Sequence, residues 1–498
     1  MRPPTANGST PYTQAAASVR GKTSATTAAT VIVLTLTAAA LRLSHLGTKS
    51  LWLDEGATVA LARMNWQHFA WVWWHGEANL QTIYFLLMRA WVHGGLSEAW
   101  LRLPSALFGI ASVPLLYMLG RRLLPDGAAL AAAALLTFSP THVYYSHEAR
   151  SYTLTIFLVL LSSYFFIRAA EEGRRADWVL WVAISIVAFY SHYFAALVLV
   201  AQAASLLFGK TSPAVWSRTL LGGLVILAAA LPGVTYVLRA SHENLYFAWM
   251  PAATPKEIWR LAKFFGGSGV KIFVALILWV AGLVAIARSR RAEAEEFRHG
   301  MLIVLWALLP AVVTALVSVI HPIFLPRYVI FSLPAMALLA AAGSTALRRM
   351  RAGAALVVAL CAMSVPAIFK DYSKPREDWW DASHAILASA QPGDAVVFFP
   401  FYTRIMLDYY RDRDPQRPPP LHVFAPPFYE GGEDEHDLLR ALDADPSQFR
   451  HVWVVLYRNE AVARNLAMSP EVAAKLQSNF GPPQTRQFTN IEVLEFGK

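Results

Sequence analysis

Long apolar runs, separated by polar segments, recur from residue 28 to residue 370. An α-helix of roughly 20 apolar residues crosses a bilayer core about 30 Å thick, so each run is a candidate transmembrane helix. The candidate segments are 28–41, 81–96, 104–121, 127–142, 152–170, 178–208, 218–238, 271–287, 301–320, 324–346 and 352–369. This pattern predicts a polytopic α-helical membrane protein with about 11–13 transmembrane helices.

Two of these segments do not fit a single straight crossing. Segment 178–208 is too long for one ordinary span, and Tyr-Ser-His-Tyr at 190–193 predicts two shorter helices that meet at a polar turn. Segment 81–96 contains an arginine and a histidine, so we expect it to be partly re-entrant or interfacial. A full crossing there would place Asp54 and Arg121 on the same side of the membrane, which the distribution of basic residues opposes.

Composition and charge support the membrane interpretation. The 498 residues are 56% hydrophobic and 15% charged, with a mean hydropathy of +0.40. The net charge of +10 does not indicate nucleic-acid binding, because Lys and Arg collect in short loops between apolar runs. These basic loops, predicted to be cytoplasmic, lie at 121–122, 174–175, 288–291 and 348–351. The single cysteine, Cys361, excludes an intramolecular disulfide and a multi-cysteine metal site.

The two ends of the chain differ from its apolar middle. Residues 1–27 are rich in Ser, Thr, Ala and Pro, which predicts a disordered cytoplasmic tail. Basic residues before the first run also fit a secretory signal, but the long tail favours a retained first helix. Residues 28–370 form the predicted transmembrane module, with a first outer loop at about 47–80. Residues 371–498 predict an extracytoplasmic soluble α/β domain.

Several elements of this C-terminal domain are predicted by short patterns. The apolar spacing of residues 379–390 indicates a helix, and the stretch 461–480 also favours a helix. Two apolar runs, 394–399 and 452–456, are typical of buried strands. The sequence of this domain contains no Gly-rich nucleotide motif, so we do not expect a nucleotide cofactor there.

Two adjacent carboxylates, Asp54 and Glu55, stand near the start of the predicted first outer loop. Carboxylates are costly to hold near hydrocarbon, so their presence indicates a functional site. The alternative is an exposed helix N-terminus, where acidic side chains interact favourably with the helix dipole.

Five segments together resemble a known family. They are Leu-Trp-Leu-Asp-Glu at 51–55, Leu-Arg-Leu-Pro-Ser-Ala at 101–106, Tyr-Ser-His-Glu-Ala-Arg-Ser-Tyr at 145–152, Tyr-Ser-His-Tyr at 190–193 and Pro-Arg-Tyr at 326–328. In order and spacing they resemble the GT-C fold glycosyltransferases that use polyprenyl-phosphate sugars, in particular a bacterial mannosyltransferase-like branch. The resemblance covers most of residues 28–400. It implies a GT-C-like fold, a polyprenyl-monophosphate sugar donor, and a reaction on the extracytoplasmic face of the bacterial cytoplasmic membrane.

The chain departs from that family pattern at two places. Where many relatives have His-Pro-Pro or Lys-Pro-Pro, this chain has Glu-Ala-Asn-Leu-Gln-Thr at 77–82, which leaves substrate recognition there open. Where relatives commonly have glutamine, this chain has His147, a titratable side chain that can also bind a metal.

Glycosyl transfer needs a base for the acceptor hydroxyl and groups that stabilise the departing phosphate. We predict Asp54 as the base, with Glu55 as the second catalytic carboxylate, and the resemblance places an aspartate of this loop near the acceptor. Arg150 and Arg327 are the predicted donor-phosphate ligands, because a guanidinium stays charged and presents a fork of donors to phosphate. The alternatives are a local ion pair or snorkelling to the membrane interface for Arg150, and a topology signal or a headgroup contact for Arg327.

Four further residues are candidates for substrate binding or support: His147, Glu148, His192 and Tyr328. For Glu148 the alternative is a local ion pair or snorkelling to the membrane interface, and for His192 it is a hydrogen-bonded polar turn at the membrane boundary. A divalent metal is a candidate cofactor, and its candidate ligands are Glu55, His147, Glu148 and His192. Their spacing is not diagnostic of a metal site.

These observations predict an integral membrane glycosyltransferase. Its partners would be the lipid-linked sugar donor, the bilayer, and a glycan, lipid or protein acceptor. The transfer would invert the configuration at the sugar carbon. A transporter or flippase of a lipid-linked anion would also contain intramembrane arginines and acids, although the sequence shows no internal repeat. A third alternative is a catalytically silent scaffold with the same fold.

Overall fold

The computed structural model of the protein describes residues 24–75, 81–242, 250–290, 293–347, 351–374, 376–413, 420–426, 434–458 and 468–497. The predicted tail at 1–27 lies outside the described residues up to residue 23. The first helix begins at Ala25, because the hydroxyl of the N-cap residue Ser24 accepts the N–H of Thr27.

The larger, N-terminal part of the chain is helical. Its helices are α1 (Ala25–Leu43), α2 (Leu53–Arg63), α3 (Trp66–His75), α4 (Thr82–Trp91), α5 (Glu98–Leu123), α6 (Asp126–Thr137), α7 (Pro140–Ser146), α8 (Tyr152–Glu172), α9 (Arg175–Ser191), α10 (Ala196–Ser205), α11 (Pro213–His242), α12 (Pro255–Gly266), α13 (Val270–Ser289), α14 (Ala294–Val317), α15 (Leu333–Ala346) and α16 (Ala352–Tyr372). The predicted first outer loop therefore contains two helices, α2 and α3.

Eight helical segments in the described residues are long and apolar enough to cross a membrane. They are α1, α5, α8, α11, α13, α14, α16 and the segment Pro326–Ala346, which contains α15. The shorter apolar segments are α6 and Tyr193–Ser205, which contains α10. The protein is therefore a multi-pass membrane protein, as the apolar pattern predicts.

As predicted, neither of the two unusual apolar segments forms a single straight crossing. Segment 178–208 is divided, because α9 ends at Ser191 and α10 begins at Ala196, with His192 at the break. Helix α4 has 10 residues and rises about 15 Å, which is too short to cross a bilayer. Without a full span there, Asp54 and Arg121 no longer have to share one side. In agreement, Arg121 lies at the opposite end of α5 from Arg102, which contacts the loop before α2.

Helices α13 and α15 pack with their backbones almost in contact. A Cβ atom added at Gly343 would lie 1.9 Å from the carbonyl oxygen of Leu278, and one at Gly282 would lie 2.2 Å from that of Leu339. Only glycine permits this approach, which is the way small residues bring membrane helices together.

The C-terminal part contains a five-stranded sheet in the order β2-β1-β3-β5-β4. Its elements are α17 (Trp379–Ser389), β1 (Ala395–Phe399), α18 (Arg404–Arg411), β2 (His422–Phe424), α19 (Glu435–Ala444), β3 (His451–Tyr457), α20 (Pro470–Phe480), β4 (Gln484–Phe488) and β5 (Ile491–Gly497). Strand β1 is parallel to β2 and β3, whereas β5 is antiparallel to β3 and β4. The predicted α/β class, both buried strands and the helix at 379–390 are confirmed. The predicted helical stretch 461–480 lies outside the described residues up to residue 467.

The two faces of the sheet contact different partners. One face packs against α19 and α20, through residues such as Leu438 and Leu476. The other face, which includes Trp453 and Val455, belongs to the same apolar core as α17, α18 and the membrane helices. This second face brings the C-terminal part against α2, which carries the adjacent carboxylates.

Candidate active site

The N-terminus of α2 is held by the C-terminal part of the chain. The N–H of Leu53, the first residue of α2, donates to Glu377 Oε2 at 2.9 Å. The buried Glu377 carboxylate also accepts from Trp379 Nε1 at 2.7 Å and from the Tyr457 hydroxyl at 2.6 Å. A helix start leaves unpaired N–H groups, so this carboxylate both satisfies one of them and complements the helix dipole.

Glu55 lies in the first turn of α2 but is fully buried. Its oxygens accept from Arg102 Nε and Nη2 at 2.8 and 2.7 Å, from the Ala149 N–H at 2.7 Å and from the Trp52 N–H at 3.3 Å. Glu55 therefore does lie at a helix N-terminus, as the alternative interpretation held, but it is not exposed there. Both oxygens face protein donors, so the geometry supports an organising role more than a direct catalytic one.

Arg102 extends this buried network to the loop that precedes α2. Its Nη1 donates to the carbonyl oxygens of Leu46 and Lys49 at 3.1 and 2.9 Å, and Nη2 donates to that of Ser50 at 2.9 Å. One guanidinium thus fixes the loop and the Glu55 carboxylate together, which a compact ammonium group could not do.

Asp54 is the more accessible carboxylate, with 29% of its side chain exposed. Its Oδ2 lies 3.5 Å from Arg327 Nη1, and its carbonyl oxygen accepts from Arg150 Nη1 at 3.2 Å. Arg150 Nη1 also lies 3.2 Å from the Thr58 hydroxyl. The structure therefore brings the predicted base and both predicted phosphate ligands into one cluster.

A third arginine joins this cluster from the C-terminal part of the chain. The Arg376 guanidinium lies 3.2 Å from the ring centroid of Trp52, whose ring is 5.6 Å from Arg327. Arg376 also forms an ion pair with Glu148 and donates to the Tyr144 hydroxyl at 3.0 Å. Two cations thus lie within about 6 Å of the Trp52 ring, and its electron-rich face attracts both.

Burial strongly shifts the pKa values of two neighbouring side chains, Glu148 and His147. Burial raises the pKa of Glu148 to about 7, although the nearby Arg376 opposes this increase. Burial lowers the pKa of His147 to about 3, and the charges of Arg102 and Lys49 lower it further. Burial disfavours the charged form of each group, which raises the pKa of an acid and lowers that of a base.

His192 and Tyr328 lie beside the arginine cluster. Their ring centroids are 5.6 Å apart, and the His192 ring is 6.5 Å from that of Tyr152. His192 is buried, and its Nδ1 has no hydrogen-bond partner among the described residues. The hydrogen-bonded polar turn offered as its alternative role is therefore not complete at this nitrogen.

The predicted metal cluster is not formed by its four residues. Glu55 forms an ion pair with Arg102, and Glu148 forms one with Arg376. The His147 ring stacks on Tyr372, with ring centroids 5.3 Å apart. Within the described residues, the ligand atoms that lie close enough together to hold a metal are those of Glu171, Glu295 and His299. Glu171 already pairs with Arg122 there, at 2.9 Å.

Comparisons with known proteins bear on the family and the fold of the chain. Residues 80–236 match the family model described as dolichyl-phosphate-mannose-protein mannosyltransferase. A comparison with curated protein sequences gives no significant match.

Solved structures share the architecture at low sequence identity. ArnT from Cupriavidus metallidurans, in the apo state and bound to undecaprenyl phosphate, gives TM-scores of 0.58 and 0.56 at 15% and 16% identity. Both comparisons cover 93% of this chain and 97% of the other. This chain has the GT-C fold. The archaeal oligosaccharyltransferase AglB from Archaeoglobus fulgidus, in complex with an inhibitory peptide and a dolichol-phosphate, gives 0.53 at 12% identity, over 86% of this chain and 69% of AglB. The family match and the GT-C fold together support a membrane glycosyltransferase.

No role was predicted from the sequence for four residues of this candidate site: Trp52, Arg102, Arg376 and Glu377. Arg102 had a usable signal, because it is a lone cation in a motif that enters an apolar helix. Arg376 and Glu377 had none, because they lie in a charged stretch more than 300 positions from their partners in the first outer loop.

Proposed function

We propose that this GT-C protein transfers a sugar from a polyprenyl-monophosphate donor to a glycan, lipid or protein acceptor on the extracytoplasmic side of the bacterial cytoplasmic membrane. The observation that carries the proposal is the cluster of three arginines around Asp54 and Trp52. Such a concentration of cations beside one accessible carboxylate suits a substrate with a phosphate next to the reacting carbon.

The arginines would bind the donor phosphate. Arg327 and Arg376 both lie near the Trp52 ring, and Arg150 approaches α2 from the loop before α8. Glu148, held against Arg376, would position that guanidinium instead of taking part in bond formation. In this arrangement the phosphate leaves as an anion that the cluster stabilises more strongly as charge develops on it.

Asp54 would act as the base. It is more exposed than Glu55, whose oxygens are bound by donors, and its contact with Arg327 at 3.5 Å is longer than a strong charge-assisted hydrogen bond. A donor phosphate that attracts Arg327 would free Asp54 to accept the proton of the acceptor hydroxyl. The acceptor oxygen then forms a bond to the sugar carbon, the bond from that carbon to the phosphate oxygen breaks, and the configuration is inverted.

The test is the release of polyprenyl phosphate from a panel of labelled polyprenyl-phosphate sugars by purified protein in lipid nanodiscs. We expect Asp54→Asn to reduce turnover at least 100-fold with donor affinity changed much less, because it removes the base and keeps the shape. Arg327→Gln should weaken donor binding instead. The matched control is Asp126→Asn, an exposed carboxylate at the start of α6, which should retain wild-type turnover.

Other outcomes would count against the proposal. Equal turnover by wild type and Asp54→Asn would remove Asp54 as the base. Movement of an intact labelled lipid across the bilayer, with no release of polyprenyl phosphate, would favour the transporter alternative. Binding without either activity would favour a silent scaffold.

A further inference from the structure

A mainly apolar cavity lies among α6, α13, α15 and α16, with the end of α12 at one side. Its volume is about 250 Å³, and its walls include Leu136, Trp279, Met336 and Leu360. None of the described residues that line it is Asp, Glu or His, and none belongs to the arginine cluster around Asp54. The cavity therefore offers no base for glycosyl transfer, and it is better suited to binding than to catalysis.

The polar side of the cavity is formed by the turn between α12 and α13. Gly267 and Gly269 adopt φ values of +82° and +66°, which favour glycine. A Cβ atom at Gly266 would lie 2.9 Å from that of Ala275, so the two helices meet closely at this turn. The aliphatic chain of Lys271 packs over Gly267, where an added Cβ would lie 2.9 Å from its Cε. The turn thus holds Lys271 against the cavity. Lys263 also lines this cavity.

These two lysines have no acidic partner in the described part of the chain. Lys271 lies in the first turn of α13, which contains no acidic residue, so its charge adds to the positive end of the helix dipole. Lys263, in the last turn of α12, is exposed and lines the same cavity. An anion between them would offset this concentration of positive charge.

Helix α12 has a mixed surface of exposed apolar and cationic side chains. Its large apolar side chains Ile258 and Trp259 are exposed, next to the exposed cations Lys256 and Arg260. Exposed aromatic and aliphatic residues mixed with cations are typical of a helix that lies in the membrane interface.

We propose that this cavity binds an anionic glycerophospholipid of the surrounding bilayer. The phosphate would contact Lys263, Lys271 and the backbone of the glycine-rich turn, and one hydrocarbon chain would enter the apolar part of the cavity. A bilayer lipid fits better than the sugar donor, because the cavity lacks the base and arginines that a reacting donor needs. The inference does not depend on glycosyl transfer.

Native mass spectrometry of the full-length protein in detergent tests the proposal. The probes are phosphatidylglycerol, zwitterionic phosphatidylcholine and undecaprenyl phosphate. We expect one phosphatidylglycerol to bind more tightly than phosphatidylcholine, and Lys263→Gln/Lys271→Gln to weaken its binding about 30-fold, since a lysine near a headgroup contributes about 1 kcal/mol. The matched control, Lys210→Gln/Lys374→Gln, removes the same charge from exposed positions outside the cavity and outside α12, and should bind as wild type does.

Three results would overturn the proposal. Unchanged phosphatidylglycerol binding by Lys263→Gln/Lys271→Gln would exclude the lysines as its ligands. Equal weakening in the control would show that the protein's overall charge, and not this cavity, attracts the lipid. Displacement of phosphatidylglycerol by an equal concentration of undecaprenyl phosphate, lost in the same variant, would assign the cavity to a polyprenyl phosphate.

Discussion

The buried pair of Arg102 and Glu55 allows a quantitative test of how the site is held together. Arg102→Met keeps much of the side-chain length but removes the hydrogen bonds to the Glu55 carboxylate and to three loop carbonyls. Glu55 would then be a buried carboxylate with only two backbone N–H donors. Removing one partner of a buried ion pair costs about 3–5 kcal/mol. We expect the upper end of that range, because the carbonyl oxygens also lose their donor.

A double-mutant cycle separates the ion pair from the rest of this cost. In Arg102→Met/Glu55→Gln the remaining side chain is neutral and can still accept from the Ala149 N–H. We therefore expect the double variant to be about 2–3 kcal/mol more stable than the sum of the two single changes. Arg102→Lys should fall between wild type and Arg102→Met, because one ammonium cannot replace a planar fork that serves a carboxylate and three carbonyl groups.

The assay measures the free energy of unfolding in detergent micelles, with unfolding monitored by circular dichroism. Arg121→Met is the matched control: it lies at the other end of α5, is partly exposed, and pairs with Asp126 at 3.6 Å. A pair of that kind is worth about 0–1 kcal/mol. The reasoning is refuted if Arg102→Met costs no more than this control, or if the double variant is no more stable than the two single effects predict.

Three further predictions follow from packing and burial. Burial raises the pKa of Glu148 to about 7, so the stability that Glu148 contributes decreases as the pH rises from about 4.5 to 7. Burial lowers the pKa of His147 to about 3, so the stability that His147 contributes increases as the pH rises from about 3 to 6.5. Thermal unfolding midpoints across pH should therefore increase more steeply with pH in Glu148→Gln, and less steeply in His147→Gln, than in wild type. Glu377→Leu should lower the free energy of unfolding in detergent by about 2–4 kcal/mol, because three donors lose their acceptor. It should also lower the rate of glycosyl transfer, although Glu377 is not proposed to contact the substrate. Gly343→Ala should sharply reduce the yield of folded protein on size-exclusion chromatography, whereas Gly223→Ala, where an added Cβ meets no atom within 4 Å, should not.

The sequence allowed good prediction of features that depend on local pattern. Apolar length predicted the membrane helices, and a polar interruption predicted the break at His192. Short apolar runs predicted the strands that became β1 and β3. Each of these features is determined by residues that are neighbours in the chain, so periodicity and length are sufficient to find it.

Features that depend on partner choice could not be predicted in this way. The structure does not support the metal hypothesis for Glu55 and His147, because Arg102 binds both oxygens of Glu55 and the His147 ring stacks on Tyr372. Neither contact could be predicted from the sequence. A buried carboxylate can bind a metal, a proton or a guanidinium, and only the fold decides which of them lies beside it.

The C-terminal part of the chain helps to position the proposed base. Helix α2 has 11 residues, and an isolated helix of that length is only marginally stable. Its start is held by Arg102, through Glu55, and by Glu377, while the Tyr410 hydroxyl accepts the Leu51 N–H at 3.0 Å. Two of these three supports come from the C-terminal part, which also supplies the cation beside Trp52. The position of the proposed base therefore depends on the docking of that part, so changes at this contact should affect turnover even where they leave the membrane helices folded.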